Sequence, residues 1–313
     1  PVNQNPNITA DNLVEEIAKQ VKHYPSEKIY GLGYSNNNCY FDMFVDGIRA
    51  YRYPGRGVVG STAIEINELL FHSGKHTISY KMYPLYTLEE RGVTTTQNTL
   101  VDNSYVALDV YSYNLKDKNA RDISYAEYTT PNIAIKNAQG DTIYKFAGAG
   151  KTYYEGSFEV ELDVPYQLQP PFATAQDLRK MDQKQLMTKL LAKYKEVWQI
   201  YKNREINNIA RLEFDMLKDY AVSHYATKEV IKKNWDFLYD NYKNTSFEMQ
   251  PISNYKLEFF ADGKLVALML DTKDNKIRGN TALWIKLKDE ENTPVFFNRY
   301  FYIPQGETEF KVY

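Results

Sequence analysis

The sequence predicts a mainly β protein, α+β overall, with two antiparallel β-sandwich parts of immunoglobulin-like type separated by an all-helical insert. Short runs of alternating apolar and polar residues occur before residue 171 and again after residue 251, and turn-forming pairs such as Asp46-Gly47 separate them. Between these regions, residues 174–245 contain neither glycine nor proline and repeat apolar side chains at helical spacing. These two observations define the predicted architecture.

Residues 1–27 are predicted to form a polar tether followed by a short amphipathic helix. The opening PVNQNPNITADN is rich in proline and asparagine, and Leu13, Ile17 and Val21 then recur four residues apart. The chain starts on Pro1 and not on methionine, which fits removal of a signal or lipid-anchor segment, and equally an engineered start. We therefore expect an extracytoplasmic protein, in the periplasm or on the surface of a bacterial cell.

Residues 28–171 are predicted to form a β-sandwich domain. Runs such as HTISYKMYPL, NSYVALDVYSYN and FEVELDV have the length and alternation of half-buried strands, and turn sequences such as SGK and QGD separate them. Many short antiparallel strands at this spacing are typical of an immunoglobulin-like sandwich.

The segment KFAGAGKTYY at 145–154 resembles the end of a phosphate-binding loop. Such a loop needs a further glycine where this chain has Lys145, and it must lead into a helix whose first turn binds phosphate. In this chain the segment leads instead into FEVELDV, whose period of two predicts a strand. The segment is therefore interpreted as a glycine-rich connection between two strands.

Residues 172–250 are predicted to form a helical hairpin or small bundle. Leu186, Leu190 and Tyr194 repeat at helical spacing, and Thr227 is suited to cap a later helix. Residues 251–313 return to strand-like runs, such as YKLEFFAD and KLVALMLD, and are predicted to form a C-terminal β domain.

The two β parts carry similar segments in the same order, which predicts an internal repeat. FVDG at 44–47 resembles FADG at 260–263, and GSTAIEI at 60–66 resembles GNTALWI at 279–285. The strands that end at Pro84 and Pro304 correspond as well. The alternative is that two unrelated sandwiches use the same hairpin sequences.

The composition is that of an ordinary globular protein, with 43% hydrophobic and 25% charged residues. The formal net charge of −2 argues against a general nucleic-acid binder, which carries a basic surface. No apolar run approaches the length of a transmembrane helix. The single cysteine, Cys39, excludes an intramolecular disulfide and is interpreted as a small buried apolar residue.

Few residues form a pattern that indicates catalysis or metal binding. His72 and His76 bracket a turn, but two imidazoles make an incomplete zinc site. Glu159 and Glu161 share one strand face at a spacing of roughly 7 Å, near that of an inverting glycosidase, although any half-exposed strand shows the same alternation. We expect no metal and no cofactor, and the absence of a nucleophile motif favours a non-enzymatic protein over an enzyme.

Tyrosine is unusually frequent, with 28 tyrosines against 3 tryptophans. Its flat ring and hydroxyl suit protein or glycan recognition. The candidate ligand-binding residues are Tyr51, Arg52, Tyr53 and Arg56, because aromatic and basic residues alternate in YRYPGRG. The competing interpretation is that these tyrosines only favour strand formation.

The sequence thus predicts a non-enzymatic recognition or structural protein of the bacterial cell envelope, which binds a protein or a glycan and no nucleic acid. An immunity or adaptor role would fit equally well. The alternative is a hydrolase acting on polysaccharide or peptide, with its site between the helical insert and a β-sheet.

Overall fold

Alternating apolar and polar residues fold this chain mainly into antiparallel β-sheets, as the sequence predicts. Strands account for 36% of the residues and helices for 23%. The computed structural model describes residues 2–53, 58–243 and 246–313. Within these ranges the α-helices are α1 (Leu13–Ala18), α2 (Gln183–Lys202), α3 (Ile206–Ser223) and α4 (Lys228–Lys243).

The strands of the first half are β1 (Lys28–Asn37), β2 (Tyr40–Val45), β3 (Ile48–Tyr53), β4 (Val58–Glu65), β5 (Gly74–Tyr83), β6 (Tyr86–Glu90), β7 (Val93–Gln97), β8 (Tyr105–Asn114), β9 (Ile123–Thr129), β10 (Asn132–Lys136), β11 (Thr142–Phe146) and β12 (Tyr154–Leu162). Those of the second half are β13 (Phe247–Met249), β14 (Tyr255–Phe260), β15 (Leu265–Leu270), β16 (Trp284–Leu287), β17 (Pro294–Phe296), β18 (Phe301–Tyr302) and β19 (Lys311–Val312).

The chain forms two compact units. Unit 1 contains Pro1–His23, Tyr166–Thr272 and Ile277–Tyr313, and unit 2 contains Tyr24–Pro165 and Lys273–Lys276. This grouping differs from the predicted ranges 1–27, 28–171, 172–250 and 251–313. The N-terminal segment, the helices and the C-terminal strands belong together because their apolar side chains share one core.

Unit 2 contains two four-stranded antiparallel sheets. Sheet A has the strand order β4-β1-β8-β9 and sheet B the order β12-β5-β2-β3. Rings from the two sheets touch: Tyr34 of β1 lies 5.7 Å from Phe41 of β2, and the hydroxyls of Tyr80 and Tyr128 are 2.8 Å apart. Each strand that alternates apolar and polar residues therefore has one face buried in the unit, as β5 does along its whole length.

Unit 2 also contains two separate two-stranded ribbons, β6-β7 and β10-β11. The glycine-rich segment that resembles a phosphate-binding loop connects β11 to β12, so its interpretation as a connection between strands is confirmed. Gly150 in this connection has a φ of +85°, which explains a glycine at that position.

The three long helices of unit 1 follow the apolar spacing of the sequence. Asp182 caps α2 by accepting a hydrogen bond from the Gln185 N–H at 2.9 Å, and Thr227 caps α4 through the Val230 N–H at 3.3 Å. The cap at Thr227 is the predicted one. None of the helices in the described ranges is long and apolar enough to cross a membrane.

The N-terminal segment of unit 1 packs into the core where the sequence predicts a tether. Val2 and Ile8 are buried, as are Leu13 and Ile17 of α1. The side-chain amide of Gln4 pairs with the backbone of β19 as a neighbouring strand would. It donates to the Val312 oxygen at 2.9 Å and accepts from the Val312 N–H at 2.8 Å. The polar residues of this segment thus satisfy backbone groups of the core.

A buried polar network connects α3 to the C-terminal residues. Arg299 forms an ion pair with Glu213, donates to the Leu212 oxygen at 2.7 Å and donates to the Tyr313 oxygen at 3.1 Å. The Tyr201 hydroxyl donates to Glu213 at 2.8 Å. Because these groups are withdrawn from water, each depends on its partners for stabilisation.

Both Asp-Gly pairs that suggest a repeat adopt left-handed backbone conformations. Asp46 and Gly47 have φ values of 49° and 79°, and Asp262 and Gly263 have 53° and 80°. The first pair joins β2 to β3 directly, whereas residues 261–264 separate β14 from β15. The same Asp-Gly pair therefore occurs in strand connections of different length. The internal repeat stays a prediction.

Candidate binding face on sheet A

The predicted site residues Tyr51, Arg52 and Tyr53 lie on β3, and Arg56 falls outside the described residues. Tyr53 stacks on Phe41 with ring centres 5.3 Å apart, and Tyr51 lies 5.2 Å from Tyr34. These two tyrosines therefore point towards the buried side of sheet B. Successive residues of a strand point to opposite faces, so Arg52 points to the other side.

Arg52 forms a buried ion pair on that other side of sheet B. Its Nη1 lies 2.7 Å from Asp42 Oδ1, and its guanidinium lies over the Tyr83 ring at 5.7 Å. The structure thus separates Arg52 from Tyr51 and Tyr53 instead of gathering them on one surface. Ligand binding by these residues stays a prediction.

The two histidines that bracket a turn come together, with ring centres 5.3 Å apart. His76 Nδ1 lies 2.6 Å from Asp46 Oδ2, and its Nε2 lies 2.8 Å from the His72 oxygen. Both ring nitrogens of His76 are therefore occupied by protein partners. Among the described residues, no group of three histidine, cysteine or acidic side chains is placed to hold a metal ion.

The remaining candidates for chemistry are two glutamates on β12 and the single cysteine. Glu159 and Glu161 are exposed on β12, and Glu159 lies 3.5 Å from Lys75 in a surface ion pair. Cys39 is fully buried, and burial raises the pKa of its thiol to about 12. A thiol held in this protonated state is a poor nucleophile.

One surface of sheet A is centred on two glycines of β1. Gly31 lies opposite Tyr111 of β8, and Gly33 lies opposite Asp109. A Cβ atom at Gly31 would come within 2.4 Å of the Tyr111 ring, and one at Gly33 within 2.2 Å of the Asp109 carboxylate. The glycines therefore allow these two side chains to lie across β1.

Three further side chains extend this surface across sheet A. The Tyr113 hydroxyl donates to Glu65 of β4 at 2.8 Å, and Glu127 of β9 lies directly opposite Asp109. We call this surface the tyrosine–carboxylate face. It consists of Glu65, Asp109, Tyr111, Tyr113 and Glu127.

A depression of about 250 Å³ opens on this face. Small side chains form part of its lining, namely Ser35 of β1 and Ala107 of β8, and Asp109, Glu127 and Thr129 line it as well. The depression exists because the residues next to the two carboxylates are too small to fill the sheet surface.

The face carries negative charge and keeps Tyr111 protonated. Burial and then the charge of Glu127 raise the pKa of Asp109. Burial, followed by the nearby carboxylates Asp109, Asp122 and Glu65, raises the pKa of Tyr111. At neutral pH the face thus offers the uncharged hydroxyl donor of Tyr111 beside several carboxylate acceptors.

Sequence reasoning missed this face, although one signal for it was present. The segment YGLGYS places two glycines two residues apart inside a strand, and glycine within a strand marks close approach of another group. The identity of that group comes only from the pairing of β1 with β8, which lie far apart in the sequence.

Comparisons of the chain with protein-family models, with curated proteins and with solved structures found no match.

Proposed function

We propose that this chain is a non-enzymatic glycan-recognition protein that binds through the tyrosine–carboxylate face. The observation that carries the proposal is the placement of the Tyr111 ring across Gly31, with carboxylates on either side. A fixed aromatic ring can stack on the apolar C–H face of a sugar, and carboxylates accept hydrogen bonds from its hydroxyls. The ordering of the ring by β1 reduces the entropy lost on binding.

The proposal includes an immunoglobulin-like sandwich in unit 2 and an extracytoplasmic location. The ring contacts between Tyr34 and Phe41, and between Tyr80 and Tyr128, support the packing of sheet A on sheet B. In such an arrangement the tyrosine–carboxylate face is the outer surface of sheet A. Glycans are abundant outside the cytoplasm, and this location would give the face its ligand.

A glycan fits this face better than a protein partner does. Ser35 and Thr129 beside the depression are polar, and Glu65 and Glu127 are exposed carboxylates. The centre of a protein–protein interface is depleted in charged residues, so the face lacks the apolar centre that such an interface needs.

Hydrolysis of a polysaccharide is the second candidate, and the Asp109–Glu127 pair favours it. Cross-strand neighbours have Cβ atoms about 4.5–5.5 Å apart, which is compatible with the spacing of paired carboxyl groups in glycosidases. A raised pKa on one carboxyl of a pair is what a general acid needs. The sequence predicts a hydrolase site between the helical insert and a β-sheet, whereas the site of this second candidate lies on sheet A alone.

The test is a glycan-array screen followed by calorimetry on the bound sugars. Replacing Tyr111 by alanine is expected to weaken binding by about fivefold or more, since aromatic stacking contributes about 1 kcal/mol per ring. Gly31→Ala is expected to weaken it as well, because the new Cβ displaces the Tyr111 ring. Tyr144→Ala, at an exposed tyrosine of β11, is the matched control and should bind as the wild type does.

Two outcomes would count against glycan recognition. One is a wild-type chain that binds none of the arrayed glycans at millimolar concentration, and the other is a Tyr111→Ala variant with unchanged affinity. If the chain releases reducing sugar, and Asp109→Asn or Glu127→Gln abolishes this release while binding persists, the hydrolase takes precedence.

A further inference from the structure

The β10-β11 ribbon presents partly exposed isoleucines on one of its faces. Ile135 lies opposite Ile143, and Ile133 lies opposite Lys145, so the three isoleucines share one face. Ile133 is 43% exposed and Ile143 41% exposed, and Tyr144 on the other face is 71% exposed. A two-stranded ribbon in water is at best marginally stable by itself, so this exposed ribbon is suited to contact a partner.

The hydrogen-bonding directions of the ribbon show which backbone groups face outward. The Phe146 N–H donates to Asp102 at 2.8 Å, away from β10, so the pair Asn132 and Phe146 is not hydrogen-bonded within the ribbon. Antiparallel pairs alternate, and therefore Ala134 and Lys136 also point their N–H and C=O groups to the outer edge of β10.

The outer edge of β10 is available, whereas the outer edge of β11 is partly used. No strand in the described ranges pairs with β10 other than β11. On β11, the Phe146 N–H is already bonded to Asp102. An added strand would therefore join at β10, as strands commonly do at an unpaired edge.

We propose that β10 pairs with β10 of a second copy of this chain, antiparallel about a two-fold axis at Ala134. In this register the outward groups of Ala134 bond to those of the second copy's Ala134. Ile133 then lies opposite the second copy's Ile135, in the closely spaced type of pair whose Cα atoms are about 4.5 Å apart. The pairing gives a four-stranded sheet with a self-complementary centre.

This register also collects the apolar side chains and separates the like charges. Three isoleucines from each copy form one stripe, because Ile143 and Ile135 of one copy continue into Ile133 of the other. Lys136 lies opposite the second copy's Asn132 and not opposite another lysine. The charge pattern therefore permits the two ribbons to approach.

The contact is small, and its size predicts a weak dimer. Only five residues of each β10 strand form the new ladder, whereas a stable interface buries roughly 800 Å² per partner from about 20–30 residues. We therefore expect a concentration-dependent dimer with a dissociation constant on the order of 10 μM or weaker.

Sedimentation velocity over a concentration series tests the dimer directly. Ala134→Pro removes an outward N–H and leaves the bonds between β10 and β11 intact, since proline is tolerated where the N–H faces away from the ladder. This variant should dissociate at least about tenfold more readily than the wild type. Tyr144→Pro is the matched control, because Tyr144 also points outward but on β11, and its dimerisation should be unchanged.

A cross-linking experiment tests the register. Two cysteines introduced by Ala134→Cys would meet across the two-fold axis at a Cα separation of about 5.5 Å, within the range of a disulfide. Cys39 is fully buried, so it contributes no competing link. Ala138→Cys, in the exposed turn of the same ribbon, is the control and should not form a linked dimer under the same mild oxidation.

Several results would overturn the proposal. These are a wild-type chain that stays monomeric up to about 1 mM, an equal loss of association in Ala134→Pro and Tyr144→Pro, and equal cross-linking at positions 134 and 138. A monomeric chain that binds an extended peptide along β10 would also overturn it, because the edge would then serve a different partner.

Discussion

Gly31 and Gly33 show how much of the candidate site depends on single residues. Neither glycine contributes a functional group, yet the absence of a Cβ lets Tyr111 and Asp109 lie across β1. The predicted residues Tyr51 and Tyr53 have the expected chemistry but pack against the rings of Tyr34 and Phe41. At this scale, function depends on which side of a strand a residue occupies.

The pair formed by His76 and Asp46 is expected to make stability depend on pH. Burial by itself lowers the pKa of His76, but the hydrogen bond and charge of Asp46 outweigh it, so this pKa is raised. The stabilisation is complete below the unfolded pKa of about 6.5 and is lost as the pH rises through the folded value. Asp46→Asn should therefore cost about 1–2 kcal/mol at pH 6 and less at pH 9, measured by urea unfolding.

Asparagine keeps the left-handed backbone at position 46, where φ is 49°, so the comparison isolates the charge. Asp262→Asn, in the other Asp-Gly turn with φ of 53°, is the control and should show no such change with pH. If Asp46→Asn loses the same unfolding free energy at pH 6 and at pH 9, the charge interaction between Asp46 and His76 does not explain the loss.

Secondary-structure elements were predictable where the sequence of one strand or helix is sufficient to show its periodicity and its ends. The spacing of Leu186, Leu190 and Tyr194 and the cap at Thr227 locate α2 and α4, because helix periodicity and caps are local properties. The tyrosine–carboxylate face was not predictable, since it needs the register between β1 and β8. A shift of one residue would place Tyr111 on the opposite side of the sheet.

Helix α3 is expected to respond to pH through Asp219. The Tyr313 hydroxyl donates to Asp219 at 2.6 Å, but burial raises the pKa of this carboxyl to about 6. Because this carboxyl has a higher pKa in the folded than in the unfolded protein, the free energy of unfolding falls as the pH increases between the two values, here from about 4 to about 6. In Asp219→Asn the fall in the free energy of unfolding from pH 4 to pH 7 should be smaller by on the order of 1–3 kcal/mol than in the wild type, measured by chemical unfolding.

Glu229→Gln, at an exposed carboxyl of α4, serves as the control for removing one negative charge. It should retain the wild-type decrease between pH 4 and pH 6. If Asp219→Asn shows the same decrease as the wild type, Asp219 is not the group responsible.

The whole molecule consists of two units whose cores use different parts of the sequence. Unit 2 uses one nearly continuous segment, whereas unit 1 draws on the N-terminal segment, the helices and the C-terminal strands. The sequence predicts four successive ranges because composition changes along the chain are visible, but contacts between distant segments are not. The packing of Val2 and Ile8 could not be recognised in a segment dominated by asparagine and proline.

Fragments should reveal this difference between the units. Residues 24–165 alone are expected to fold, because both of their four-stranded sheets are present. Residues 166–313 alone should be unstable, because they lack the buried side chains Val2, Ile8, Leu13 and Ile17. Circular dichroism with thermal unfolding measures both, and a cooperative transition in 166–313 equal to that of the intact chain would contradict the expectation.

The hydrogen bonds that join Gln4 to Val312 and Asn3 to the Phe310 oxygen place both ends of the described chain side by side. A short peptide bridge could therefore close the backbone into a ring without disturbing unit 1. If such a ring were opened at another exposed loop, the contacts within unit 1 would be the same although its segments would follow one another in a different order.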